Sequence, residues 1–165
     1  MTGRLTSTLF RIVVIALTAA TFADAGRTVY WWLTGMPSAN WQLSGRWFLM
    51  VFQGHPVTAN IAAEPSFPFE FQVGFAAYYV VALTFATAYL VLFEGLLKRP
   101  LGIRNGFAFG LATIVFPLLV QMPAMGMGFF GLNTPTPLAV MGRTLVQHSC
   151  FGLGLGVGAA GTSLL

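Results

Sequence analysis

Long uncharged runs separated by short charged stretches divide the chain. Residues 71–93, FQVGFAAYYVVALTFATAYLVLF, carry no charge. As a helix they reach about 34 Å, enough for a hydrocarbon core of about 30 Å. A second uncharged run, 106–131, contains Pro117, Pro123 and five glycines, which predicts a helix that kinks and then breaks near its end. A third, 138–161, is apolar except for Arg143, Gln147 and His148 in its first half. Near the N-terminus only residues 12–23 are free of charge, about 18 Å of helix. Either Arg11 snorkels and the span is about 5–23, or the span extends to about 33 and takes Asp24 and Arg27 into the membrane. The Tyr30-Trp31-Trp32-Leu33 run reads as an aromatic belt and favours the longer span. Ala23-Asp24-Ala25 also resembles a signal-peptidase site; the expectation is a retained first span.

Spans near 10–33, 71–94, 105–125 and 138–161 therefore predict an all-α, four-helix polytopic membrane bundle, one domain over residues 1–165. The connection from 34 to 70 is long and aromatic. NWQLSGRWFLMVFQG predicts a short interfacial helix near 40–53, capped by Asn40, with Trp41, Phe48 and Phe52 near one face. It reads as a lid over a pocket or as an interfacial anchor. Glu64-Pro-Ser-Phe-Pro-Phe-Glu-Phe71 then returns the chain as an extended linker. No internal repeat points to an inverted-repeat transporter.

Composition agrees with lipid as the main solvent. Hydrophobic residues make up 56% of the 165 positions and charged residues 7%, with a mean hydropathy of +0.78; a soluble domain carries about 25% charged residues. The net charge of +4 forms no basic cluster, so nucleic acid is not an expected partner. The charges instead orient the spans: Arg4, Arg11, Lys98, Arg99 and Arg104 fall on one side, and Arg27, Arg46 and Arg143 on the other. The positive-inside rule places both termini in the cytoplasm of a bacterial inner membrane, with all four Trp at the outer boundary.

The motifs give little chemistry. Cys150 is the single cysteine, so no internal disulfide or Cys-pair metal motif exists. Met122, Met125 and Met127 suggest cuprous ion as the sharp reading and flexible packing as the plain one. His55 and His148 lie far apart in sequence with no haem-attachment motif, Ser149 has no nucleophile elbow around it, and no enzyme signature, metal or cofactor is expected. Gly152/Gly156 and Gly154/Gly158 form two overlapping G-x-x-x-G spacings, which let helices approach closely within the bundle or in an oligomer. Pro117, Pro123, Gly126 and Gly128 mark a helix break that should be buried in protein, because lipid cannot satisfy freed backbone groups.

Converting position to depth at 1.5 Å per residue sets Asp24 about 13 Å and Arg27 about 9 Å below the outer boundary, and Arg143 about 8 Å and His148 about 15 Å. Gln121 falls in the same layer. Asp24 is thus expected to accept a bond from Arg143 or His148, with Arg27 and Gln121 nearby, as a structural clamp or as the wall of an outward-facing polar pocket.

Asp24, Ser44-Gly-Arg-Trp47, Gln121-Met-Pro-Ala-Met-Gly-Met-Gly128, Asn133-Thr-Pro-Thr-Pro137 and His148-Ser-Cys-Phe-Gly-Leu-Gly-Leu155 together resemble a family of small bacterial inner-membrane proteins catalogued as domain of unknown function 2938. Tyr78-Tyr79 stands where a His-Tyr pair is expected. The resemblance implies the four-span fold and no activity. Two function classes fit: a ligand- or ion-handling protein, for which transport would require a homo-oligomer, and a non-catalytic subunit that packs onto a larger membrane complex.

Overall fold

The computed structural model describes residues 2–37 and 40–162, with side chains from residue 6 onward; the Arg4 side chain lies outside that set. Among the described residues every regular element is helical: α1 (Thr2–Thr34), α2 (Trp41–Phe52), α3 (Glu70–Leu90), α4 (Ile103–Ala112), α5 (Met122–Ala124) and α6 (Pro137–Thr162). π-helical segments extend α3 over Val91–Leu96 and precede α5 over Pro117–Gln121.

Three stretches, Thr6–Thr34, Glu70–Leu96 and Ile103–Ala124, are long and apolar enough to cross a membrane. Only 28%, 22% and 22% of their most apolar windows is buried, so most of their apolar side chains point outward. α6 has 26 residues, but Arg143, Gln147 and His148 in one half and glycines in the other dilute its hydropathy. Four spans were expected, the last carrying polar residues in its first half; among the described residues three helices reach the length and hydropathy of a span, and α6 is the long, more polar fourth.

Contacts along the helices set their directions. α1 and α6 are antiparallel, Gly158 lying against Ile15 and Gly142 against Tyr30. α3 is antiparallel to α1, with Tyr78 reaching the Ala20 carbonyl and Glu94 reaching Arg11. α4 is antiparallel to α6, Gly106 facing Gly156 and Gly110 facing the His148 carbonyl. Residues 2 and 162 therefore come to one end of the molecule, the terminal end. α2 and both long connections occupy the other, the α2 end.

Small residues account for the tightest packing. Ile15, Ala16, Ala19, Ala20 and Ala23 recur at helical spacing on α1 and bury against Leu155 and Ala159 of α6 and Ala82 and Ala86 of α3. The α6 glycines divide by face. A Cβ on Gly152 would stand 2.6 Å from the Gly106 carbonyl of α4, and one on Gly154 2.6 Å from Ala19 Cα of α1. Gly156 meets α4 and Gly158 meets α1 in the same way. Beneath this layer the fully buried Tyr89 donates its hydroxyl to the Gly102 carbonyl at 3.0 Å and accepts from the Gly102 amide at 2.9 Å.

At the α2 end the Asn40 side chain caps α2, accepting from Gln42 N at 3.0 Å and Leu43 N at 3.2 Å. α2 crosses α3 where Gly45 and Gly74 face each other's backbones with no room for a Cβ. The break after Pro117 is covered by protein: the Ala124 and Met125 carbonyls accept from the Thr58 amide at 2.9 Å and the Ile61 amide at 3.1 Å of the linker after α2. Gly126, at φ 81°, turns the chain there, and the linker backbone at Ala59 sits where its Cβ would be.

Candidate functional site

Asp24 and Arg27, three residues apart on α1, pair with each other. Arg27 Nη2 donates to Asp24 Oδ1 at 2.6 Å, and the Tyr78 hydroxyl of α3 donates to the same oxygen at 2.8 Å. The Arg27 side chain is 9% exposed and that of Asp24 39%. The guanidinium lies over Trp41 at 4.8 Å and Tyr78 at 5.6 Å from the ring centroids, a cation–π cage. Its Nε and Nη1 are buried without a hydrogen-bond partner among the described residues.

The expected bond from Arg143 or His148 to Asp24 is not formed. Arg143 Nη1 donates to the Pro37 carbonyl at 2.9 Å, and His148 Nδ1 lies 2.8 Å from Thr113 Oγ1. Helix azimuth is the reason. The face of α1 toward α6 runs through Ile15, Ala19, Gly26 and Tyr30, whereas Asp24 turns toward α3. Depth fixed the level of each residue and left its direction open, and the local i,i+3 partner was already at hand.

The Thr113 hydroxyl also donates to the Gly110 carbonyl at 2.6 Å, so Thr113 links the His148 ring to the backbone of α4.

Arg143, Gln147 and His148 of α6, Gln121 of the π-helical segment and Tyr78 of α3 line a single hollow of about 420 Å³. Phenylalanines 48, 85, 116 and 151 contribute to the remaining, mainly apolar wall, and Ser44 of α2 lines it from above. Asp24 and Arg27 stand behind the Trp41–Tyr78 wall rather than in it. The Gln121 and Gln147 amides make no hydrogen bond to any described residue. Pro117 lines the hollow at the start of the π-helical segment, Pro123 sits in α5, and Gly126 and Gly128 turn the chain beyond it at φ 81° and 75°. Met122, Met125 and Met127 all line the hollow, and Met125 is also buried with Trp47, Met50 and Ile61.

Sequence reasoning placed Trp41 on the face of a possible lid but not against Arg27, and it missed the roles of Tyr78, Thr113 and the ion pair between α2 and α3. Arg46 donates to both oxygens of Glu70, at 2.6 and 3.1 Å, and to the Ile61 and Glu64 carbonyls at 3.1 and 2.7 Å. Its hydrogen bond to Glu70 holds the guanidinium above its ordinary pKa, against the opposing effect of burial. The Thr58 hydroxyl in turn donates to Glu64. The usable signal was Tyr78, because it occupies a position where a histidine was expected and so invited a polar role.

Taken together, the fold and the hollow define an all-helical protein with three helices apolar enough to cross a membrane and, at the α2 end, a mostly apolar cavity with a few polar side chains in its wall. The chain belongs to the family described as protein of unknown function (DUF2938), which matches over residues 13–161. No curated protein and no solved structure matches it.

Proposed function

We propose that the chain is a four-helix protein of the bacterial inner membrane that binds a small ligand in the hollow beneath α2. In this reading α1, α3, the kinked α4–α5 unit and α6 all span, both termini are cytoplasmic, and α2 lies in the outer interface. The charge distribution supports the orientation: Arg11, Lys98, Arg99 and Arg104 gather toward the terminal end, and all four Trp toward the α2 end.

The observation that carries the ligand-binding reading is the Gln121 and Gln147 amides, uncommitted to any protein partner at membrane depth in a cavity of about 420 Å³. Polar groups there are costly unless paired or facing water, and the volume lies in the range of small-molecule sites. The alternative of an accessory subunit docking by its glycine face has less support, because α1 and α4 already occupy both glycine rows.

Labelling tests both parts. A Gln147→Cys variant on a Cys150→Ala background should react with a membrane-impermeant thiol reagent added from the periplasmic side, and reporter fusions after Lys98 and at the C-terminus should score cytoplasmic. Absence of labelling in folded protein overturns the outward-facing hollow; a periplasmic reporter signal overturns the topology. Sizing in nanodiscs then decides between a lone binding protein and the homo-oligomer that transport would require.

A further inference from the structure

The charges around the hollow indicate what enters it. Arg27 and Arg143 stand close enough to repel each other, and the one carboxylate beside them, Asp24, is engaged by Arg27 and Tyr78. Arg143 has a single hydrogen bond, to the Pro37 carbonyl, and no ion-pair partner among the described residues. No acidic residue lines the cavity. A guanidinium at membrane depth is normally neutralised by a partner, and the chain does not supply one here. Gln147 lies one helical turn from Arg143 on the same face, with amide protons to donate. The rest of the wall is mainly apolar, with four phenylalanines and four methionines in it.

We propose that the hollow binds a single-chain amphiphile bearing one carboxylate, held by Arg143 and the Gln147 amide, with its apolar body against Phe48, Phe85, Phe116 and Phe151. The proposal deepens the ligand-binding reading and rests on it. One uncompensated guanidinium matches a monoanion, and its planar fork matches a carboxylate. A small inorganic anion would lose its hydration against the aromatic wall with nothing apolar to offset the loss. The headgroup of an anionic phospholipid offers the same charge, but two acyl chains exceed a cavity of about 420 Å³.

The test uses the full chain in phosphatidylcholine nanodiscs with radiolabelled decanoate as the probe and methyl decanoate, acetate and phosphatidylglycerol as competitors. Decanoate should bind saturably, with methyl decanoate competing about tenfold more weakly, the order expected for one charge-assisted contact. Acetate and phosphatidylglycerol should not compete. Arg143→Gln should bring acid and ester to within about twofold of each other, with the ester's affinity unchanged. Equal binding of acid and ester by the wild-type chain overturns the anionic assignment, acetate competition shows a small-anion site instead, and displacement by phosphatidylglycerol shows a lipid-headgroup site. Saturable binding of neither acid nor ester overturns the amphiphile proposal, and absence of Gln147→Cys labelling in folded protein overturns the ligand-binding reading on which it rests. Should Arg143→Gln fail to fold, Gln147→Leu serves in its place. It removes no protein hydrogen bond, and it should weaken decanoate while sparing the ester; equal loss of both counts against the proposal.

Discussion

The two ends of the molecule hold together by different means. At the terminal end, glycine and alanine let α1, α4 and α6 touch backbone to backbone, Gly152 on Gly106 and Gly154 on Ala19. At the α2 end the same helices carry Arg143, Gln147 and His148 on α6 and Asp24 and Arg27 on α1, and they are spaced by long side chains around a cavity of about 420 Å³. Lipid tails are as apolar as leucine, so burial of leucine gives little drive for helices to associate; close van der Waals contact between small residues does. The terminal end uses that contact fully. The α2 end keeps it between Gly45 and Gly74 and opens a cavity beside Arg143 and Gln147.

The largest effect should come from closing the gap at the terminal end. Gly152→Val places a side chain against the α4 backbone, and we expect loss of more than about 4 kcal/mol, seen as failure to recover monodisperse protein. Gly161→Ala, where nothing lies within 4 Å, should change the unfolding midpoint little or raise it, because alanine is the better helix former. Equal damage from both would mean the close approach is not what secures that end.

At the α2 end, Arg46→Ala strands the carboxylate of Glu70, whose side chain is 7% exposed. It should cost about 3 kcal/mol and loosen the roof, measured as faster limited proteolysis in the 53–69 linker. Asp24→Asn leaves the Arg27 guanidinium without its counter-charge; partial exposure of Asp24 lowers the expected loss to about 2 kcal/mol, read from thermal unfolding in nanodiscs. Tyr78→Phe should cost less than Asp24→Asn, because it removes one hydrogen bond and no charge. The reverse order would shift the weight of the site from the ion pair to the hydroxyl.

The smallest effect belongs to Arg11→Gln. Arg11 and Glu94 pair at 2.8 Å with side chains 25% and 52% exposed, and an exposed pair contributes below about 0.5 kcal/mol. Salt should erase the difference between variant and wild type. A larger, salt-resistant loss would mean the terminal end also relies on charge.

How much was legible in the sequence follows the same divide. Helix existence was written in hydropathy runs, and the Asn40 cap in the residue before the α2 pattern; α2, α3 and α6 fall within a few residues of the expected bounds, whereas α1 begins at Thr2, well before the expected start near residue 10. Relative level along the bundle was legible too, since Gln121, Arg143, Gln147 and His148 do share one cavity. Azimuth was not. Which way Asp24 faces depends on how α1 rolls over the α6 glycines, a tertiary outcome with no local signature. The Arg46–Glu70 pair joins residues 24 apart across a linker without periodic pattern, so nothing in either segment announced the other.

The Thr58 and Ile61 amides, which donate to the Ala124 and Met125 carbonyls, also make a clock. The linker carrying them hangs from α2 through Arg46, so any outward swing of α2 breaks those two bonds and bares both amides to solvent deuterium. Their exchange times therefore record how often the roof lifts, in the absence of any ligand, and occupation of the hollow that holds α2 down would slow both amides by the same factor.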